Sequence, residues 1–318
     1  MCRACGGTIA DDGYCADCGT PAASERDHWS ELPAPGVGGV CDRGIRHDRN
    51  EDAMALGADG GVAVLVVCDG VSTVADSDIA SLAAARAARD VLATGAPSGS
   101  TPVTGSETAR VSAWSALLEQ AADAANRAIT EAVGDRATRE EPPSCTFVAA
   151  VVDGASVVAG WLGDSRVYWV PDTGAALQLS TDDSAANDLM ARGMSRAKAE
   201  VSPQAHAITR WLGPDATDVV PSTAPTRAQG PGWVLVCSDG LWNYCSEAAA
   251  IADLLHRTAE RVGSAPDVLS GALVQWANEQ GGHDNITAAL ARVEVVNGIS
   301  PFDTVQAEPV GATPAPGT

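Results

Sequence analysis

Five short stretches place a carboxylate where an apolar run meets glycine or a turn. They are Asn50-Glu51-Asp52, Asp69-Gly70, Gly163-Asp164, Asp239-Gly240, and Asp284 after Gly281-Gly282. Taken singly, an Asp-Gly pair is a turn former and needs no function. Recurrence at the ends of strand-like runs changes the reading, because strands that stop at one edge of a sheet gather such residues into a cluster. Clustered carboxylates cannot all stay ionised without a compensating cation. An all-oxygen donor set selects hard divalent ions, Mg²⁺ or Mn²⁺. Glycine beside the aspartate lets a backbone carbonyl approach such an ion unobstructed.

A second donor set lies at the N-terminus. Four of the nine cysteines run Cys2-x2-Cys5-x9-Cys15-x2-Cys18, with Gly6-Gly7 and Gly19 after each pair. Two tight CxxC turns offer four thiolates, which closes the tetrahedral shell of Zn²⁺. A redox pair or a disulfide staple is the alternative, and it suits a secreted chain better than a cytosolic one. Residues 1–20 therefore read as a zinc ribbon, similar to those at the ends of many bacterial regulatory proteins. Such ribbons bind nucleic acid or protein, or cap a terminus. The remaining cysteines (Cys41, Cys68, Cys145, Cys237, Cys245) stand singly, mostly in apolar runs, and read as buried thiols.

The elements that must position the acids follow from hydrophobic pattern. Residues 21–36, with Pro21, Pro33, Pro35 and Gly36 among charges, read as a linker, and 37–296 as one globular domain. Val62–Cys68 is a buried-type strand ending at Asp69. Residues 78–93 have helical composition, with Ile79, Leu82, Ala83 and Val91 as the expected stripe. A polar loop at 95–107 precedes an amphipathic helix over 108–133, carried by Trp114, Leu117, Leu118, Ala121, Ala125, Ile129 and Ala132. Strand-like runs at 145–152, 156–162 and 165–170 are split by Asp153-Gly154 and Gly163-Asp164, which predicts an antiparallel meander. Residues 181–227 read as loops and short helices over a site, with Trp211 buried. A strand at 233–237, helices at 247–261 and 265–279, and a strand from Asn285 complete the domain. Beyond 297, Pro, Gly and Ala predict a disordered tail.

The chain has 318 residues and a formal charge of −21, from 20 basic and 41 acidic side chains. That balance opposes binding to nucleic acid or to an anionic membrane. No apolar run reaches the roughly 18 residues of a membrane span. Met1-Cys2-Arg3-Ala4-Cys5 does not resemble a secretory leader, so a cytoplasmic location is expected. His28, His206 and His256 show no ligand spacing, and His283 reads as a loop residue.

The order of motifs resembles the metal-dependent protein phosphatase 2C family. The matching stretches are Arg49-Asn50-Glu51-Asp52-Ala53, Val67-Cys68-Asp69-Gly70, Gly163-Asp164-Ser165-Arg166-Val167-Tyr168, Cys237-Ser238-Asp239-Gly240-Leu241-Trp242 and Gly282-His283-Asp284-Asn285-Ile286-Thr287. The resemblance implies an α+β fold, a four-layer α-β-β-α sandwich of two antiparallel sheets flanked by helices, with the ribbon appended. It implies hydrolysis of phosphoserine and phosphothreonine in proteins, with two Mn²⁺ or Mg²⁺ ions activating a water. By the same resemblance Asp69 bridges both ions and the Gly70 carbonyl joins one of them, while Asp239 and Asp284 hold the first ion and Glu51 the second, often through water. Asp52 orients a water, and Asp164 belongs to a weaker third site. The family's phosphate-clamping arginine falls, by count from Gly44, at His47. Arg46 is assigned the role for its guanidinium fork, with His47 and Arg49 as neighbours. Val71 stands where animal enzymes place a histidine, and Asn243 where many members carry a third-site aspartate. Those departures leave a second reading open, a catalytically weak phosphatase-like scaffold or regulatory binding protein. A third makes the ribbon a nucleic-acid binder, which the acidic charge opposes; a protein partner for the ribbon is the expectation.

Overall fold

The computed structural model describes residues 1–2, 5–20, 22–95, 107–205 and 207–294. The tail expected from 297, most of the loop expected at 95–107, and His206 lie outside them. The first strands are β1 (His28–Ala34), β2 (Val37–Asp42), β3 (Ala53–Asp59) and β4 (Val62–Cys68). Two long helices follow, α1 (Ser77–Thr94) and α2 (Glu107–Val133). Next come β5 (Phe147–Asp153), β6 (Ser156–Leu162), β7 (Arg166–Pro171) and the short β8 (Leu177–Gln178). A region with short helices α3 (Ala185–Ala191) and α4 (Arg196–Ala199) leads to β9 (Ser222–Arg227) and β10 (Gly232–Cys237). The chain closes with α5 (Asp239–Trp242), α6 (Ala248–Val262), α7 (Pro266–Gln280) and β11 (Ile286–Val293).

These strands form two antiparallel sheets, ordered β1-β2-β11-β10-β7-β8 and β3-β4-β5-β6-β9. Met54, Leu65, Val67 and Trp161 of the second meet Val167, Trp169, Val234 and Val236 of the first in a shared core. Outside the five-stranded sheet, α1 and α2 bury Ala84, Leu92, Trp114, Leu118 and Ile129. Outside the six-stranded sheet, α6 and α7 bury Leu254, Leu255, Leu269 and Leu273 against Val40, Leu235 and Leu290. The expected four-layer sandwich is what forms. Central strands such as β4 are covered on both faces, so they read as continuous apolar runs.

Three local expectations differ from the structure. The presumed linker contains β1, which pairs with β2 from His28↔Asp42 to Ala34↔Val37. Its prolines are tolerable because an edge strand has one side without ladder partners. The meander also breaks: β5 and β6 form a hairpin, but β7 pairs with β10 and β8 in the other sheet. The chain changes sheets at Gly163-Asp164. On α1 the buried face is Ser77, Ala80, Ser81, Ala84, Ala85, Ala88 and Leu92, while Ile79, Leu82 and Val91 are only partly buried. Small residues let α1 lie close to β3, β4 and α2, and its two buried serines serve the site described next.

Candidate active site

Strand register gathers the acids at one end of the sandwich. Ala53 lies opposite Cys68, so Asp52 and Asp69 are the next pair beyond β3 and β4. Arg166 lies opposite Cys237, which sets Asp164 and Asp239 two residues further out on β7 and β10. Ile286 lies opposite Asp42, which brings Gly44 to Asp284. That approach requires glycine twice over. Gly44 has φ +73°, and an added Cβ would stand 2.1 Å from the Asp284 carbonyl oxygen. A Cβ on Gly240 would meet the Asn285 carbonyl oxygen at 1.9 Å. Both sheets thus contribute carboxylates to a single cluster.

Neutral hydroxyls and amides fix these acids. Thr287 Oγ1 and Ser238 Oγ donate to Asp52 Oδ2 at 2.6 and 2.7 Å. Ser77 Oγ donates to Glu51 Oε1 at 2.8 Å, and Ser81 Oγ donates to the Glu51 carbonyl. The Asp69 amide donates to Thr146 Oγ1 at 3.0 Å. Asn285 bolts the loop before β3: its Oδ1 accepts from the Glu51 amide, and its Nδ2 donates to the Arg43 and Arg49 carbonyls. Sequence motifs contain Asn285, Thr287 and Ser238, but only register shows what they hold.

The electrostatics are those of a site awaiting positive charge. Burial, then Asp52, Asp239, Asp284 and Asp164, push the Asp69 carboxyl well above its ordinary value. Asp239 is driven the same way by burial, Asp284 and Asp164. Burial pushes Asp52 up to about 6 against its hydroxyl donors, and burial with Asp182 pushes Asp164 up to about 7. Asp52 Oδ1 is buried with no hydrogen-bond partner. An orphaned carboxylate oxygen among mutually repelling acids is costly unless a cation or a bound water meets it. The donor set therefore fits hard divalent cations.

A profile of the protein phosphatase 2C family matches residues 44–277. The chain belongs to the protein phosphatase 2C family. It is 31% identical over 144 residues to "Protein phosphatase PhpP" of Streptococcus pneumoniae, a match covering 45% of this chain and 55% of that one. The aligned stretch thus spans about half the length of the curated relatives it matches. The fold resembles serine/threonine phosphatase Stp1 from Staphylococcus aureus, with a TM-score of 0.64, 25% identity, and 86% and 96% of the two chains covered. It also resembles the catalytic domain of the serine threonine protein phosphatase PstP in complex with 2 manganese ions. That pair has a TM-score of 0.55, 23% identity, and 84% and 98% coverage.

Against the phosphatase 2C pattern, the loop after β2 holds a surprise. His47 Nε2 lies 3.3 Å from Asp284 Oδ1, and its Nδ1 lies 4.0 Å from Glu51 Oε2. The Arg43 guanidinium donates to the His47 carbonyl and so steadies the loop. Arg46 is exposed, with its amide donating to Gly282, and Arg49 reaches Asp78 at 3.7 Å. At this position the imidazole, rather than a guanidinium, touches the acidic cluster. Asn243 Nδ2 donates to Asp239 Oδ2 at 3.0 Å, so the residue in the third-site position does adjoin the cluster.

Beside the cluster sits a buried cation that sequence reading passed over. Arg166 donates to Asp182 at 2.6–3.2 Å and to Tyr168 and Ser246, and stacks 3.6 Å from the Trp242 ring centroid. Burial opposes its charge, but Tyr168 and Asp182 hold it firmly protonated. This clamp joins β7 and α5 to the region over the site. Trp211, expected to be buried, is half-buried, and its indole N–H donates to Asp215. His28 is paired with Asp42 at 2.7 Å rather than idle.

At the N-terminus, the Cys2 and Cys18 sulfurs lie 3.6 Å apart and those of Cys5 and Cys15 3.5 Å apart. Among the described residues, these four are the group whose ligand atoms all converge within 4.8 Å. Hydroxyl and amide donation from Thr20 lowers the Cys18 thiol to about 6, while, against donation from the Gly7 amide, hydrogen bonds with the Cys18 and Cys15 sulfurs push Cys5 up to about 12.

Proposed function

We propose that this chain is a metal-dependent protein serine/threonine phosphatase acting on phosphoserine and phosphothreonine in proteins. The observation that carries the proposal is the convergence of Glu51, Asp52, Asp69, Asp164, Asp239 and Asp284 from both sheets, with burial and like charge holding Asp69 and Asp239 up. Glu51, Asp69, the Gly70 carbonyl, Asp239 and Asp284 would hold two Mn²⁺ or Mg²⁺ ions, and Asp164 a weaker third. Among the described residues no three of these carboxylates bring oxygens within 4.8 Å of one another, so metal binding would have to draw them together. When bound, the ions supply an activated water and neutralise charge on phosphoryl oxygens.

The chain's own residues do the rest. Thr287 and Ser238 occupy one oxygen of Asp52, which leaves Oδ1 to orient a water. His47, 3.3 Å from Asp284, would donate an N–H to a phosphate oxygen, with Arg46 and Arg49 exposed on the same loop. Cys68 and Cys237 are buried thiols pushed well above their ordinary values by burial, which suits packing rather than nucleophilic attack. Cys2, Cys5, Cys15 and Cys18 would hold structural Zn²⁺ in an N-terminal ribbon that docks a protein partner. The catalytic domain includes β1 and so begins by His28. The described residues contain no helix long and apolar enough to cross a membrane, in keeping with a cytoplasmic site of action.

One observation favours the scaffold reading: Asn243 brings a neutral amide where a carboxylate would add charge. Release of phosphate from a phosphothreonine peptide, with and without Mn²⁺, decides between them. Mn²⁺-dependent release that Asp239→Asn abolishes is expected. No metal-dependent release from the wild-type chain would overturn the enzyme reading.

A further inference from the structure

A cleft of about 380 Å³ opens beside the acidic cluster. Its lining includes Glu200 and Val201, after α4, Trp242 at the end of α5 with Tyr244 beyond it, and His283 and Asp284. Asp284 belongs both to this cleft and to the proposed metal centre. A phosphoresidue seated on that centre therefore brings its neighbouring residue to the cleft mouth.

The lining is amphipathic in a specific way. Val201 is 80% exposed, an unusual position for an aliphatic side chain, and it lines the same cleft as Trp242 and Tyr244. The Tyr244 ring is fixed edge-on against Trp276, and its hydroxyl accepts from the His283 amide at 3.0 Å. Glu200 Oε1 accepts from Ser246, Arg196 and Arg166. Its Oε2 makes no hydrogen bond among the described residues. No arginine or lysine is among the described residues lining the cleft, although Arg196 and Arg166 pair with Glu200 at 3.0 and 3.5 Å. Val201, Trp242 and Tyr244 beside the Oε2 of Glu200 and the carboxylate of Asp284 suit a side chain with a methylene stem and a positive head.

We infer that this cleft is a specificity subsite for an arginine or lysine next to the phosphoresidue of the substrate. The inference rests on the phosphatase reading and deepens it. The stem packs on Val201 and Tyr244, while the head meets Glu200. A second phosphate or an acidic side chain at that position meets Glu200 and Asp284 instead and is rejected. The net charge of −21 also favours basic substrates, but as a diffuse field that one residue barely alters. A local charge change at Val201 therefore separates the cleft from the field.

The test scans arginine against alanine at each position flanking phosphothreonine in one peptide, using the full chain with Mn²⁺. The wild type is compared with Val201→Glu and Val201→Lys, both at an exposed position that folding does not need. At one flanking position arginine should raise kcat/KM about two- to fivefold, the scale of a partly exposed ion pair. Val201→Glu should widen that ratio, and Val201→Lys should erase or invert it. p-Nitrophenyl phosphate, which has no flanking residue, should be hydrolysed equally by all three proteins. No position favouring arginine, or a preference that both Val201 variants leave unchanged, overturns the subsite. Failure of the wild type to hydrolyse p-nitrophenyl phosphate overturns the phosphatase reading, and the subsite with it.

Discussion

Asp52 is held by one oxygen and left bare at the other, which makes it the sharpest single probe of the site. In Asp52→Asn the amide oxygen can still accept from Thr287 and Ser238, so the fold should survive. Activity should fall roughly 10–100-fold or more, as for other residues that orient what a metal binds. Without metal, the variant should melt no lower than wild type, because it loses a buried repulsion; a large drop in Tm would contradict this account. A pH dependence follows from the same residues. Asp52 and Asp164 have folded values near 6 and 7, above ordinary carboxylates. Their contribution to the metal-free fold is complete below about pH 4 and is lost as pH rises through 6 and 7. Divalent ions need the deprotonated acids, so Mn²⁺ should raise Tm more at about pH 8 than at about pH 5. Thermal unfolding at both values checks it, and an equal or larger shift at low pH would refute it. The acids were legible because they recur where an apolar run meets a glycine or a turn. Ser77 and Ser81 were not, since their roles exist only once a helix face is folded against Glu51.

At the scale of elements, the Arg166 clamp is the feature to break. Its side chain is 1% exposed and its carboxylate partner Asp182 is nearly as buried. Arg166→Met leaves that acid uncompensated, a loss of about 3–5 kcal/mol by precedent for buried pairs. Arg166→Lys should recover little, because an ammonium cannot fork onto Asp182 and stack on Trp242 together. Denaturant unfolding measures both; a lysine variant as stable as wild type would show that charge alone suffices. Long elements with strong periodicity, α2 and β4 above all, were readable from pattern. The stripe of α1 was misjudged because its buried face is alanine and serine, which pattern reading discounts beside Ile79 and Leu82. The strand β1 was hidden by Pro33 and Pro35, and its place at a sheet edge is a tertiary fact that no local signal carries.

For the whole molecule, the 41 acids behind the charge of −21 divide into six converging on one end and a remainder mostly at the surface. The N-terminal sulfurs form a separate centre, and the purified chain should carry about one zinc that Cys2→Ser with Cys5→Ser removes. Metal analysis of both proteins checks this, and zinc retained by the double variant would exclude these ligands. The sheet change at Gly163-Asp164 has a wider consequence. Asp52 and Asp69 extend from one sheet, Asp239 and Asp284 from the other, so any ion they share rivets the two layers. Leu65→Ala, in the core between the sheets and four residues before Asp69, should therefore weaken Mn²⁺ binding as well as cost about 2–5 kcal/mol. Titration of Mn²⁺ into the variant tests it, and unchanged affinity would sever the link. If the rivet holds, manganese supply governs survival as well as turnover: a starved cell carries a looser sandwich that proteases clear sooner.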